Sequence, residues 1–352
     1  MSVIEAESIE EEEAAALHDP LSFGFVEAIE QRYPISVLKT LLKDRTTGRN
    51  IIWADDEYEA LGEGYMGDDE IAIELITGLR SGVIKPRIAK ERERQSMRTR
   101  NRAEVFTPSW LCNQMNNHLD EEWFRRKDVF NVETGQTWEP RPDHVEFPKI
   151  KGHGWQAYVK SPRLEITCGE APFICSRYDT VSGAPLPVES RTGFLDRKLR
   201  IASENTKTYK TWIKWALEAL KSTYGYEYQG DNLVIARINV LETFVDHTKH
   251  KWNTGPALEE IKEAAHIISW NLWQMDGLSG TVPLDKPIPI DQTALPGLGI
   301  PESEIIQPTL FDLFELEPEE EKKPEETIPL CVIYDWEEDM PKTYVSLRDE
   351  RV

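Results

Sequence analysis

Cysteine is scarce in this chain. The four residues, Cys112, Cys168, Cys175 and Cys331, contain no CxxC pair. In 352 residues they read as reduced thiols, which excludes a disulfide framework and a zinc knot. Apolar runs are short, and none approaches the roughly eighteen residues that a membrane span needs. The opening MSVIEAESIEEEEAAALHD is acidic and unlike a signal peptide. The expectation is a soluble, cytoplasmic chain with no membrane partner. Metal ligands are equally sparse. His247 and His250 in DHTKH form the closest histidine pair, and with no third ligand in view they read as solvated helix-end residues, so no metal is expected. Positive charge is outnumbered, 41 Lys and Arg against 63 Asp and Glu, for a net charge of −22. A field of that sign repels phosphate and excludes a general nucleic-acid coat protein.

The positive charge that exists is concentrated. KPRIAKERERQSMRTRNR (85–102) carries eight Lys and Arg against Glu91 and Glu93. Such a stretch is either a solvated helix face with i,i+4 pairs or a phosphate-facing surface. In the second reading Arg98, Arg100 and Arg102 are the DNA-binding candidates.

Composition divides the chain into an acidic disordered tail (1–19), an N-terminal region with helices and a strand (20–104), a central domain (105–278), a Pro/Glu-rich linker (279–329) and a C-terminal hairpin (330–352). Apolar spacing predicts short helices from Pro20 to Leu42 broken at Pro34, a strand over 50–58, a helix over DDEIAIELITGLRSG (68–82) and a basic helix after it. Thr107-Pro108 marks a helix start. Buried strands are expected at Leu164–Thr167, at the start of YGYEYQGDN and over 266–278, with an amphipathic helix at 208–224 and a polar insertion over 174–207. Three strand-then-loop units separated by helices predict an α/β domain with a doubly wound parallel sheet.

The loop most suggestive of function is RLEITCGEAPF (163–173), in which an apolar strand stops at Cys168-Gly169-Glu170-Ala171-Pro172. Nucleotide cofactors sit on loops at the carboxyl ends of parallel strands. Only Gly169 stands in for the usual glycine repeat.

RAEVFTPSWLCNQMNNHL, RLEITCGEAPF, YGYEYQGDNLVIAR and NLWQMDGL follow one another as in the amino-group-directed DNA methyltransferases. Over residues 100–278 the chain resembles the M subunits of restriction–modification systems that act on adenine, and residues 35–100 resemble the N-terminal part of proteins labelled restriction endonuclease subunit M. The resemblance implies a Rossmann-like S-adenosylmethionine-dependent methyltransferase fold behind a largely helical N-terminal region. It implies cofactor binding by Phe106, Thr107 and Pro108 at a helix N-terminus, by Glu165, Cys168, Gly169 and Phe173 around the first loop, by Glu227 on the ribose, and by Asp276 on the adenine amino group.

The Asp/Asn/Ser-Pro-Pro-aromatic tetrapeptide that such enzymes use on the flipped base has no counterpart, since the chain contains no Pro-Pro pair. No catalytic residue can be named. Either a partner chain supplies that motif together with DNA recognition, or the protein is a catalytically inactive, methyltransferase-like scaffold or regulatory subunit of a phage-defence complex. In the linker, Gln307-Pro308-Thr309-Leu310-Phe311 resembles peptides that dock on replication sliding clamps, with Gln307, Leu310 and Phe311 as anchors. The other reading is a linker anchor that packs on its own domain.

Overall fold

Proline fixes its own φ and donates no amide hydrogen. The chain divides at Pro34 into α1 (Phe25–Arg32) and α2 (Ile35–Leu42), as the apolar spacing requires. The computed structural model describes residues 25–90, 107–283 and 328–349. The acidic tail, Arg98, Arg100, Arg102, Phe106 and most of the linker, with Gln307, Leu310 and Phe311, lie outside the described residues.

Beyond α3 (Ser109–Phe124) come a hairpin of β1 (Asn131–Thr134) and β2 (Thr137–Pro140), and then α4 (Trp155–Lys160). β3 (Arg163–Glu165), β4 (Thr223–Glu227) and β5 (Leu272–Gln274) follow as a parallel sheet in that spatial order. α5 (Phe194–Asn205) and α6 (Tyr209–Lys221) join β3 to β4, and α7 (Gly230–Trp252) and α8 (Leu258–Asn271) join β4 to β5. The architecture is mixed α/β with a parallel sheet. Its described strands run in sequential order, so the reversal that defines a doubly wound sheet is not among them. Among the described residues β3 is an edge strand.

The C-terminal hairpin, β6 (Val332–Asp335) and β7 (Met340–Thr343), forms as expected, and α9 (Tyr344–Asp349) follows it. It covers a face of the sheet, where Cys331, Ile333 and Tyr344 pack against Tyr226, Trp273 and Met275, and the Cys331 thiol reaches Gln274 O on β5.

Four expected elements differ. Residues 50–58 are extended only in part. Ile51 and Trp53 bond to Leu42 and Asp69 in isolated bridges, and Ala54 turns the chain at φ 59°. Residues 68–82 form two 3-10 turns, Ile73–Leu75 and Gly78–Arg80, interrupted where Gly78 takes φ 59°. The supposed polar insertion contains α5, which buries Phe194, Leu195, Leu199 and Ile201. Its helical period is disguised because Arg197 and Lys198 are buried as well. Residues 266–271 continue α8, which leaves only Leu272–Gln274 as strand.

The interior is organised by α7, which is buried over nearly its whole length and carries ionisable side chains inward. A buried charge must be paired or hydrogen-bonded, and each of these is. Asp231 accepts from Tyr58 (2.8 Å) and Lys90 (2.9 Å). Glu242 accepts from Tyr33 (2.8 Å) and faces Arg32. Asp246 takes Arg177 and Arg191, and although burial opposes it, those two guanidiniums hold its carboxyl far below the usual range. His247 meets Asp196 at 3.0 Å. Arg237 donates to the carbonyls of Leu41, Lys43, Ser269 and Leu272. Burial lowers its pKa to about 9, which leaves it charged at neutral pH. The carbonyls it binds end α2 and α8 and begin β5, so one cation closes three elements. Arg237→Met should cost on the order of 3 kcal/mol, since it strands buried carbonyls. Chemical denaturation of the two proteins checks this, with the fall seen in the midpoint rather than in the slope.

Candidate functional site

Parallel strands all end on the same side of their sheet, so the loops after β3, β4 and β5 gather there. β3 stops at Glu165, and the next turns are made by three left-handed residues, Thr167 (φ 47°), Gly169 (φ 53°) and Ala171 (φ 67°). For threonine and alanine this costs about 1 kcal/mol or more each, so the surroundings must impose it. They do so with hydrogen bonds. Cys168 N–H donates to Tyr226 O (2.8 Å), Ala171 N–H to Cys168 O (2.7 Å), and Gly169 N–H to Glu227 Oε2 (2.8 Å). Glu170 is buried beneath the loop, where it accepts from Tyr178 Oη (2.7 Å) and from the Arg87 amide. A Cβ built on Gly169 would meet nothing within 4 Å, so the outer side of the loop is open to a ligand.

Two strand-end carboxylates flank this loop. Glu227 accepts from Gly169 N–H and from Gln229 N–H (3.1 Å). Glu165 accepts from Ile174 N–H at 3.1 Å. Burial raises the Glu165 pKa well above its ordinary 4.5; the backbone donors of Phe173 and Ile174 pull it back, and the nearby charge of Glu227 adds to the rise. Cys168 is buried against Gly225. Burial first, then Glu165 and Glu227, push its thiol far up, so it is a neutral packing group and not a nucleophile.

Glu165 and Phe173 also border an open groove of about 550 Å³, walled by Met115, Leu119, Leu164, Ile166 and Phe194 with Gln114, Asn116 and His118. The groove exists because α3 is turned inside out. Its buried face is polar: Asn113, Asn116, Asn117 and Asp120. Asp120 receives Tyr158 Oη (2.8 Å), Arg163 (2.7 Å) and Arg197 (2.6 Å). Its burial is outweighed by those two guanidiniums, which hold its carboxyl below the usual range. Asn113 and Asn117 bond Asn131 of β1, and Asn116 donates to the carbonyls of Phe173 and Thr192. With the polar face inward, Met115 (52% exposed) and Leu119 (47%) face out.

The fold therefore brings together Glu165, Cys168, Gly169, Phe173 and Glu227. It treats the other candidates differently. Thr107 and Pro108 precede α3 as expected, but the partners there are in the loop near residue 180: Thr180 donates to Thr107 O, and Ser109 Oγ accepts from the Thr180 amide. Asp276 lies two residues beyond β5, yet its carboxylate caps its own turn by accepting from Leu278 N–H (2.8 Å). His247 and His250 face Asp196 and Glu189 respectively, and no group of three or more potential metal ligands occurs among the described residues. Trp212, on the amphipathic helix expected over 208–224, is core. The wall residues Met115, Leu119, Leu164, Ile166 and Phe194 were not anticipated. Their one sequence signal is faint: Met115 and Leu119 stand one helical turn apart in NQMNNHLD, a spacing equally at home on a buried face.

Because the folded-state pKa of Glu165 is raised, the native protein holds its proton more tightly than the unfolded chain does. The contribution of Glu165 to stability is therefore fully present below its ordinary 4.5 and is lost as pH rises toward the folded value, by at most about 1.4 kcal/mol per pH unit. Glu165→Gln, which keeps an acceptor for the backbone amides, should abolish this slope. Thermal unfolding of both proteins from pH 4 to 8 (about the carboxylate-titrating range) checks it, and parallel curves would refute it.

No protein-family model, no curated protein and no solved structure matches this chain.

Proposed function

We propose that the chain binds S-adenosylmethionine over the carboxyl ends of β3 and β4. In this reading it is the cofactor-binding M subunit of a DNA restriction–modification system, with a Rossmann-like methyltransferase fold, and methylates adenine together with a partner that brings the catalytic motif and target recognition. One observation carries the reading: two buried strand-end acids flank an open loop forced into left-handed geometry, and one of them fixes the loop through Gly169 N–H. Strain of this kind persists where a ligand is clamped. Glu227 stands where an acid receives ribose hydroxyls, and Glu165 offers a carboxylate to a positively charged ammonium. Where the family usually has a second glycine this chain has Ala171 or Pro172, and Ala171 adopts the φ 67° that glycine would take at lower cost.

A second reading has its own support. The absence of any Pro-Pro pair favours a scaffold that keeps the cofactor site without performing methyl transfer. Candidate DNA contacts at Arg98, Arg100 and Arg102 and clamp contacts at Gln307, Leu310 and Phe311 belong to either reading.

Calorimetric titration of S-adenosylmethionine into the full chain should give micromolar binding, weakened at least tenfold, about 1.4 kcal/mol, by Glu227→Ala and less by Asp276→Ala, whose carboxylate already serves its own turn. Absence of binding to the unmodified chain, or indifference to Glu227→Ala, would defeat the cofactor assignment. If the basic stretch meets DNA, reversing Arg98 and Arg100 to Glu should weaken DNA binding more at low salt than at high salt. An unchanged salt slope in a filter-binding series would count against it.

A further inference from the structure

Arginine presents its N–H donors in a fixed fork and accepts nothing. A buried donor left without an acceptor is costly, and more so on a charged group. Arg197 of α5 has 1% of its side chain exposed and donates through Nη1 to Asp120 (2.6 Å) and through Nη2 to Asn113 (2.8 Å). Its buried Nε has no acceptor. Arg191 is 7% exposed and donates through Nε to Leu186 O (3.1 Å) and through Nη2 to Asp246 (2.8 Å). Its buried Nη1 has no acceptor either. Both residues line one cavity, between the β1–β2 hairpin, the turn at Val188–Ser190 and α5. That cavity leaves about 10 Å³ to the centre of a water-sized sphere, which is room for a single small occupant.

The wall decides what suits it. A water has two hydrogens to place, and the acceptors of the wall are already engaged. Phe130 O accepts from the Arg141 amide (2.9 Å), Ser190 O from Trp138 Nε1 (2.8 Å), and Asn131 Oδ1 from Asn113 (3.1 Å) and Asn117 (2.9 Å). Asp196 gives one oxygen to the Ser176 amide (2.9 Å) and the other to His247 (3.0 Å). Charge points the same way. Arg197 and Arg163 share the single carboxylate of Asp120, so two guanidiniums stand against one anion. Arg191 shares Asp246 with Arg177, which also lies 3.8 Å from Glu242. Glu189 opposes an anion from the rim, where it is 61% exposed and faces His250.

We propose that this cavity is a binding site for a monatomic anion of the halide class, held by Arg197 Nε–H and Arg191 Nη1–H. A halide accepts from both donors, has no hydrogens to place, and offsets the surplus positive charge beside Asp120. Arg197 also holds Asp120 and Asn113 of α3, and Arg191 is anchored to Asp246 of α7. The ion therefore joins the hold on α3 to that on α7, and it stabilises the native chain by mass action. The site lies apart from the loops after β3 and β4 and stands whether or not S-adenosylmethionine binds there.

The test is chloride NMR of the full chain in sodium gluconate, with sodium chloride titrated in at constant ionic strength. The chloride signal should broaden in proportion to protein, the broadening should saturate, and bromide should displace it. The melting temperature should rise over the same range of chloride. Arg191→Gln should weaken binding at least tenfold, because it removes a charged donor. Glu189→Gln, at an exposed position that tolerates change, should tighten binding about twofold by removing a like charge at the rim. Absence of excess broadening, as from a cavity that takes water only, would overturn the proposal. So would broadening that does not saturate, as from scattered surface cations, or full binding in folded Arg191→Gln. Should Arg191→Gln fail to fold, Glu189→Gln decides by itself, and an affinity unchanged there refutes the site.

Discussion

A guanidinium that loses its water must find carbonyls for its N–H groups, and Arg237 finds them at the ends of three elements at once. Much else depends on that choice. Because Leu41 and Lys43 answer to a residue in the middle of α7, the N-terminal helices and the helices around the sheet share one continuous apolar cluster, from Val26 to Leu272. The same closeness recurs one helix end away. A Cβ on Gly230 would stand 1.9 Å from Ile52 O, and its amide donates to Trp53 O. Glycine at the start of α7 is therefore what lets the 50–54 segment lie across the carboxyl end of β4. The N-terminal segment thereby forms part of the floor beside the candidate site.

Lying next to that floor, the two strand-end acids differ in a way that matters for binding. Glu227 has its oxygens on backbone donors at the start of α7 and in the β3 loop, so it sets the geometry of both. Glu165 lies deeper, with its donors in the turn at 173–174 and an apolar groove in front of it. An acid in such surroundings favours its neutral form until a cation arrives, and an arriving cation then gains a partner in low dielectric. A ligand that carries both ribose hydroxyls and a positive charge would engage both acids with complementary demands.

The sequence made part of this readable. Pro34 and Thr107-Pro108 marked real helix boundaries because proline acts locally. The alternation in YGYEYQ gave β4, and the small-residue loop gave the turn at Gly169. Helix α5 escaped because Arg197 and Lys198 are buried. Lys198 donates to Ser161 O, Ser222 O and Ser222 Oγ, a tertiary arrangement that no local pattern announces. The strand read at 266–271 was β-branched helix, where packing of Ile267 and Ile268 on α8 overrode propensity. The same limit hid the groove. Asn113 and Asn117 look like surface until β1 and Arg197 are seen to lie beneath them.

That inversion of α3 links the stability of the fold to the character of its surface. Asp120, shared by Arg163, Arg197 and Tyr158, fixes which side of the helix faces inward, because no rotation of α3 could bury Met115 and Leu119 without stranding a charge, at a cost of several kcal/mol. Burying both apolar side chains is worth about 3–6 kcal/mol, which the stranded charges together with the lost asparagine hydrogen bonds, about 1 kcal/mol each, outweigh, so the apolar residues stay outside. The exposed strip is then no defect of packing. It is the consequence of a polar core built beneath the edge strand, and it places an aliphatic surface directly beside the loop that the two acids define.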